Sequence, residues 1–281
     1  MNSSFIYLLS NFILTCYGLL VKSYRDVELL EQVYIRTVVF TFLSLALIRF
    51  QLFFSIDTIW LSILNFISIY GIYVAFDKLG LGITQALFYS WPLFFYIMAD
   101  KQFNYSDLSI LIITFLFVFL IYKPIDKTTN GKDKWKGLLG VIASIATHVY
   151  ILTYFKKHNP PIQEYLYNQY AFILIALSLY YIWQYFRKDP ADAKEEKIDN
   201  QNYKSFAFIL VFNLLLGYLG FYLQFLSVGN LEPYIISLLT FISIVISLFL
   251  DRIVFGQALS KEQWIGILGI IAMTALFRKT D

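Results

Sequence analysis

Apolar residues occur along this chain in long blocks, with polar residues either between the blocks or at helical spacing within them. The polar breaks mark ten blocks, near residues 5–21, 34–50, 59–76, 83–99, 108–122, 135–155, 166–186, 206–226, 233–254 and 264–277. Helix is the open-chain form that satisfies its own backbone in lipid, and about 20 residues of it cross a hydrocarbon core. The pattern predicts an all-α integral membrane protein with ten transmembrane helices. It divides into a first five-helix repeat at 1–123, a charged linker at 124–134 and a second five-helix repeat at 135–281.

A constant offset lays Tyr70 on Tyr222, Leu79 on Leu231, Ile83 on Ile235, Phe103 on Phe255 and Ile113 on Ile265 without a gap, and the loop lengths agree. Five is an odd number, so a second copy enters the membrane from the opposite side. The expected architecture is a pair of inverted repeats, with a binding site near the midplane where they meet.

Polar positions inside the blocks share faces. Asn11, Thr15, Gly18 and Lys22 line one side of the first block, and Asn213, Gly217, Gly220 and Gln224 one side of the eighth. Thr240, Ser243, Ser247 and Asp251 form a stripe on the ninth, Gln85, Tyr89, Pro92 and Tyr96 one on the fourth, and Ser144 with His148 a shorter one on the sixth. Amide, hydroxyl and imidazole groups facing lipid go unpaired at substantial cost, so these stripes face other helices or a wet cavity.

The candidate substrate-binding residues are Asn11, Gln85, Tyr89, His148, Asn213, Gln224, Ser237 and Thr240, with Tyr70, Tyr73 and Trp91 as cavity aromatics. Close helix packing competes as an explanation for the Gly, Ser and Thr positions, and interhelical bonding for the amides. A lone histidine such as His148 is more often a packing residue than a proton carrier. Arg36 either snorkels, pairs with Glu31 or a helix carbonyl, or meets substrate.

Composition narrows the class. The chain is 59% hydrophobic and 15% charged, too apolar for a soluble core. Its net charge is +3 and its lysines sit in loops rather than along a face, which gives no footprint for nucleic acid. Cys16 is the single cysteine, so an intramolecular disulfide and a multi-cysteine metal site are excluded, and no metal or cofactor is expected. The first block has no basic leader and no small-residue cleavage pattern after it, so it reads as a helix of the mature protein.

The residues resemble the drug/metabolite transporter superfamily, specifically its EamA-like branch, over nearly the whole chain. In the first half the run 73–81, Ala86 and Pro92 resemble the family's short exit from the third helix and its proline-bearing fourth helix. In the second half Leu231, Pro233, Phe255, Gly256, Gln257, Leu259, Ser260, Gln263 and Gly266 resemble its stretch from the ninth helix into the tenth. The chain departs from the pattern at Gln257 and Tyr105, where the family carries an acidic residue, and at Ile244, where it often carries proline. Tyr17 and Gly18 replace a tryptophan-glycine pair. The resemblance implies a carrier, and Arg36 resembles an arginine found early in the family's second helix.

The expected function is a multi-pass carrier that moves a small organic metabolite, such as an amino acid, a nucleoside-like or a cationic compound, by alternating access. It would act as a facilitator, exchanger or secondary transporter, since the chain has no ATP-binding module. Its partners are the substrate and the lipid bilayer, as a monomer or a homodimer, in the bacterial inner (plasma) membrane. A non-transporting scaffold is the alternative, with Gly266 and Gly269 available for self-association. An enzyme is not expected: His148 and His158 are the only histidines, and nucleophile-elbow, zinc-protease and phosphate-loop motifs are absent.

The charge pattern and the resemblance differ on orientation. Arg49, Lys101, Lys156, Lys157, Arg278 and Lys279 flank the side shared by both termini. The larger set, including the lysines of the central linker and of the loop before the eighth block, lies opposite. By the positive-inside rule both termini lie outside the cytoplasm, whereas the resemblance implies that both lie inside.

Overall fold

The computed structural model describes residues 2–23, 29–51, 56–79, 84, 87–99, 104–121, 131–187, 200–255 and 259–277. Among these residues the elements are helices, with no strand. They run in order as α1 (Ser3–Ser23), α2 (Leu29–Leu47), α3 (Ile56–Leu79), α4 (Trp91–Ala99), α5 (Tyr105–Ile121), α6 (Gly131–His158) and α7 (Ile162–Arg187). Then follows α8, in two stretches, Asn200–Phe212 and Tyr218–Asn230, joined by a π-helical turn at Asn213–Gly217. The last two are α9 (Pro233–Phe255) and α10 (Lys261–Phe277).

Three helices among the described residues are long and apolar enough to cross a membrane, over Leu30–Leu47, Lys134–His158 and Ala207–Asn230. Shorter apolar helices cover Ser3–Tyr17, Ile56–Ile72, Tyr105–Ile121 and Pro233–Ile246.

Local chemistry sets several helix ends. Asn2 and Asn104 accept from the backbone N–H groups of Ser4 (3.0 Å) and Ser106 (2.9 Å), satisfying donors that the first turns of α1 and α5 leave open. Ser260 and Gln263 make a reciprocal capping box before α10: Gln263 N–H donates to Ser260 Oγ, and Ser260 N–H to Gln263 Oε1. Pro92 has no N–H, so the chain turns at Tyr89 and Ser90 before α4 begins one residue ahead of it.

The chain forms two compact units, each drawn from both halves of the sequence. The first comprises Met1–Phe12, Ile67–Asn159 and Leu223–Asp281. In it α5 lies along α10, and α9 packs on α4 and α5. Their core holds Tyr96, Leu111, Val118, Phe241, Ile244, Ile267 and Ile270, all buried. Gly266 and Gly269 let α10 approach α5 closely, because a Cβ at either would strike Ile121 or Phe117. That glycine face is therefore used within the chain, where the sequence offered it for self-association. Elsewhere in this unit α3 and α6 meet backbone to backbone: a Cβ on Gly71 would lie 2.6 Å from Gly140 O. Beside that contact Ser144 Oγ donates to Ser68 O at 2.7 Å.

The second unit comprises Ile13–Phe66 and Pro160–Tyr222. Here α2 lies along α7, and the two are joined by Tyr34 and Ser178 (3.2 Å between hydroxyls) and by the Tyr34 and Tyr181 rings. The first part of α3 bonds to α7 through Thr58 to Asn168 Oδ1 (2.8 Å), Ser62 to Asn168 O (2.7 Å) and Asn65 to Gln169 O (3.2 Å). Polar side chains thus hold together helices whose apolar surface gives them no preference over lipid.

Candidate functional site

Seven of the eleven candidate residues lie in the first unit with their side chains at least half-buried: Asn11, Tyr89, Trp91, His148, Gln224, Ser237 and Thr240. Tyr70 also belongs to this unit but stands 46% exposed on α3. Asn213 is buried in the second unit. Gln85 and the side chain of Tyr73 lie outside the described residues, as do the side chains of Lys22, Ser247 and Asp251.

The centre of the first unit's polar set is a residue the stripes passed over. Tyr7 is fully buried, and its hydroxyl lies 2.8 Å from Thr240 Oγ1. Thr240 spends its own proton on Ile236 O at 2.8 Å. Tyr7 is therefore the donor of the pair, since a hydroxyl has one proton to give. The side chains of Asn11 and Gln224 also interact with the Tyr7 hydroxyl. Three residues, one each from α1, α8 and α9, thus converge on one phenol oxygen. Tyr7 stands one turn before Asn11, so the i, i+4 spacing that found Asn11 extends to it.

A second cluster adjoins α4 and α6. The Trp91 ring stands edge-on to His148, with centroids 5.0 Å apart and planes at 81°. Phe88 meets the same imidazole at 5.6 Å, and the Phe88 ring in turn lies 6.4 Å from that of Tyr89. Such edge-to-face contacts orient the rings as well as burying them. Ser237 connects α9 to this side, since its hydroxyl donates to Pro92 O at 2.8 Å, with Pro233 O at 3.0 Å. That carbonyl is an extra acceptor facing α9 at the start of α4. The first unit therefore presents hydroxyls and amides from α1, α8 and α9, and an imidazole of α6 framed by the rings of Trp91 and Phe88. Among its described residues no group of three or more His, Cys, Asp or Glu side chains is placed to hold a metal ion.

The second unit holds a separate arrangement. Tyr17 Oη donates to Asn213 Oδ1 at 2.8 Å, and Asn213 Nδ2 donates to Ile209 O at 2.9 Å. Arg36 does not simply snorkel: its Nε and one Nη donate to Tyr170 Oη at 3.1 and 2.8 Å. The guanidinium also lies over the rings of Phe221 (4.6 Å), Phe40 (5.2 Å) and Tyr170 (5.7 Å). A guanidinium stacks on aromatic faces more readily than an ammonium because it is planar and weakly hydrated. Phe40 packs in turn on Tyr218 at 5.4 Å, and Gly217 admits the rings of Phe40 and Tyr17 beside the π turn.

The model of the EamA-like transporter family matches residues 135–278. The chain belongs to the EamA-like transporter family. It is an integral membrane protein of the drug/metabolite transporter superfamily. The matched stretch contains His148, Asn213, Gln224, Ser237 and Thr240, along with the Ser260 and Gln263 capping box. No curated protein matches this EamA-like chain. Among solved structures, one described as the crystal structure of a protein is 12% identical, covers 99% of this chain and 99% of its own, and has a TM-score of 0.72. At that identity the likeness shows the fold.

Proposed function

We propose that this EamA-like transporter carries a small organic metabolite by alternating access, as a facilitator, exchanger or secondary transporter. The observation that carries the reading is the Tyr7 to Thr240 pair. It joins the first helix of one half of the chain to the fourth helix of the other, inside a cluster of buried hydrogen-bonding groups. A carrier of inverted repeats needs its binding groups drawn from both halves in this way.

The helix pairings support ten membrane spans in a 5+5 arrangement. α2 runs with α7, α4 with α9 and α5 with α10, so each helix of these pairs meets its counterpart in the other half. A two-fold relation between repeats brings counterparts together at the axis. The glycine approach of α3 to α6 also has a partner: Gly220 of α8 lies against Ile13 and Leu14 of α1.

The cargo we favour is an amino acid, a nucleoside-like or a cationic compound, recognised by Asn11, Tyr89, Trp91, His148, Gln224, Ser237 and Thr240. We place the protein in a bacterial inner membrane with its central linker in the cytoplasm. Counterflow in proteoliposomes tests the carrier reading. Preloading with one member of a metabolite panel should accelerate uptake of the labelled form, with saturation. Folded protein that gives no saturable flux with any of the three classes would sink the reading and leave the scaffold alternative.

A further inference from the structure

We propose that Lys156 is a latch that holds one end of the first unit closed and must release before the polar cluster opens toward that end. The proposal rests on the carrier reading and adds a moving part to it. Lys156 stands in the last turn of α6, and its ammonium reaches the corner between α8 and α9. Nζ donates to Gly229 O at 3.0 Å and to Leu231 O at 2.6 Å. Glu232, the next residue of that corner, interacts with the ammonium electrostatically.

The corner is short of donors. The last carbonyls of a helix have no intrahelical partner, and Pro233, which opens α9, has no N–H to offer. Helices commonly close such an end with a residue of their own in left-handed conformation. Here a side chain from a distant helix supplies the donors. Two further contacts lie at the same junction: Phe155 packs on Phe225 with ring centroids 4.8 Å apart, and Gly229 leaves room for Asn159 Oδ1, which a Cβ would meet at 2.8 Å.

What makes this junction a latch is what its two arms carry. α6 bears His148 two turns before Lys156, and α9 bears Ser237 and Thr240 in the first two turns after the corner. Parting α6 from the corner separates the imidazole side of the cluster from the hydroxyl side. Both bonds that resist the parting come from one ammonium on a flexible four-carbon stem, whose donors can exchange carbonyls for water at the membrane edge.

The test is thiol accessibility, in a Cys16→Ser background carrying Ser237→Cys as the reporter. An impermeant methanethiosulfonate reagent is applied to right-side-out and to inside-out vesicles. Lys156→Met should raise the labelling rate about tenfold from one membrane face, the change expected when a charged hydrogen bond is lost. It should leave the other face unchanged, and Lys156→Arg should restore the slow rate. Lys156→Gln, which keeps two donors on a shorter stem, should give a smaller rise and serves if the methionine variant does not fold. A monodisperse variant with a lowered melting temperature but unchanged labelling at both faces would overturn the latch and leave a helix cap. Labelling needs no transported substrate. Failure of the carrier reading would appear as absent counterflow, and failure of the latch as flat labelling.

Discussion

Tyr17 and Asn213 hold each other at 2.8 Å, and that bond ties α1 to the π-helical turn of α8. Asn213 spends its other end on Ile209 O. Both ends of the amide are engaged with protein, as in a structural tie. Gln224 instead belongs to the set around Tyr7. The two amides of one stripe therefore differ in their surroundings.

Asn213→Leu should lower stability by about 1–3 kcal/mol, because it removes the bonds to both Tyr17 Oη and Ile209 O. The fraction that folds should keep near-normal substrate affinity. Gln224→Leu should do the opposite and weaken transport strongly in a protein that purifies as a monodisperse species. Thermal melts and counterflow on both variants check this, and matching behaviour would refute the division.

Tyr7→Phe removes one oxygen and little volume. Thr240 keeps its bond to Ile236 O while Asn11 and Gln224 each lose a partner, and the loss of stability should be about 1–3 kcal/mol. Counterflow should fall at least tenfold, since the phenol is the shared centre of its cluster. A variant with full flux would remove Tyr7 from the site.

Thr41 Oγ1 and Gln169 Nε2 are buried without a hydrogen-bond partner among the described residues. Thr41→Val keeps the shape and removes the unpaired polar atom. It should be neutral or raise stability by up to about 1 kcal/mol, measured as an unchanged or higher melting temperature. A clear drop would mean that the hydroxyl has a partner in the folded protein.

Cysteine placed at Asn130 in a Cys16→Ser background reports orientation. With the central linker in the cytoplasm, an impermeant thiol reagent should leave intact cells unlabelled and react after permeabilisation. Labelling in intact cells would place the linker outside, and with it the termini inside.

The stripes were legible because burial in these helices follows helical phase. Asn213, Gly217, Gly220 and Gln224 are all buried, as are Thr240 and Ser243, Pro92 and Tyr96, and Ser144. Tyr7 was missed for a chemical reason. In a chain with 22 tyrosines, most can fill space or meet the interface, and nothing local separates the one whose hydroxyl is bonded. The surroundings of Arg36 were illegible for a topological one: Tyr170 and Phe221 come from helices more than a hundred residues away, whereas sequence spacing offered Glu31, five positions off. Gly266 and Gly269 could be read as a contact face but not assigned a partner, because self-association and packing on α5 ask for the same small residues.

The π turn has a consequence for how the two halves can be superimposed as sequences. Tyr218 N–H reaches back to Asn213 O, five residues rather than four, so the turn accommodates an extra residue relative to an α-helix. The described backbone of α3 is α-helical throughout. The ungapped offset that lays Tyr70 on Tyr222 can keep faces in register downstream of the turn, but upstream it should slip by one residue, a rotation of about 100°. An alignment of the halves, or of this chain with relatives that lack the turn, accordingly needs its gap inside a continuous helix. Deleting a single residue between Asn213 and Gly217 would be the corresponding experiment in the protein: it should return the turn to an α-helix and leave Gln224 and Gly229 on their present faces.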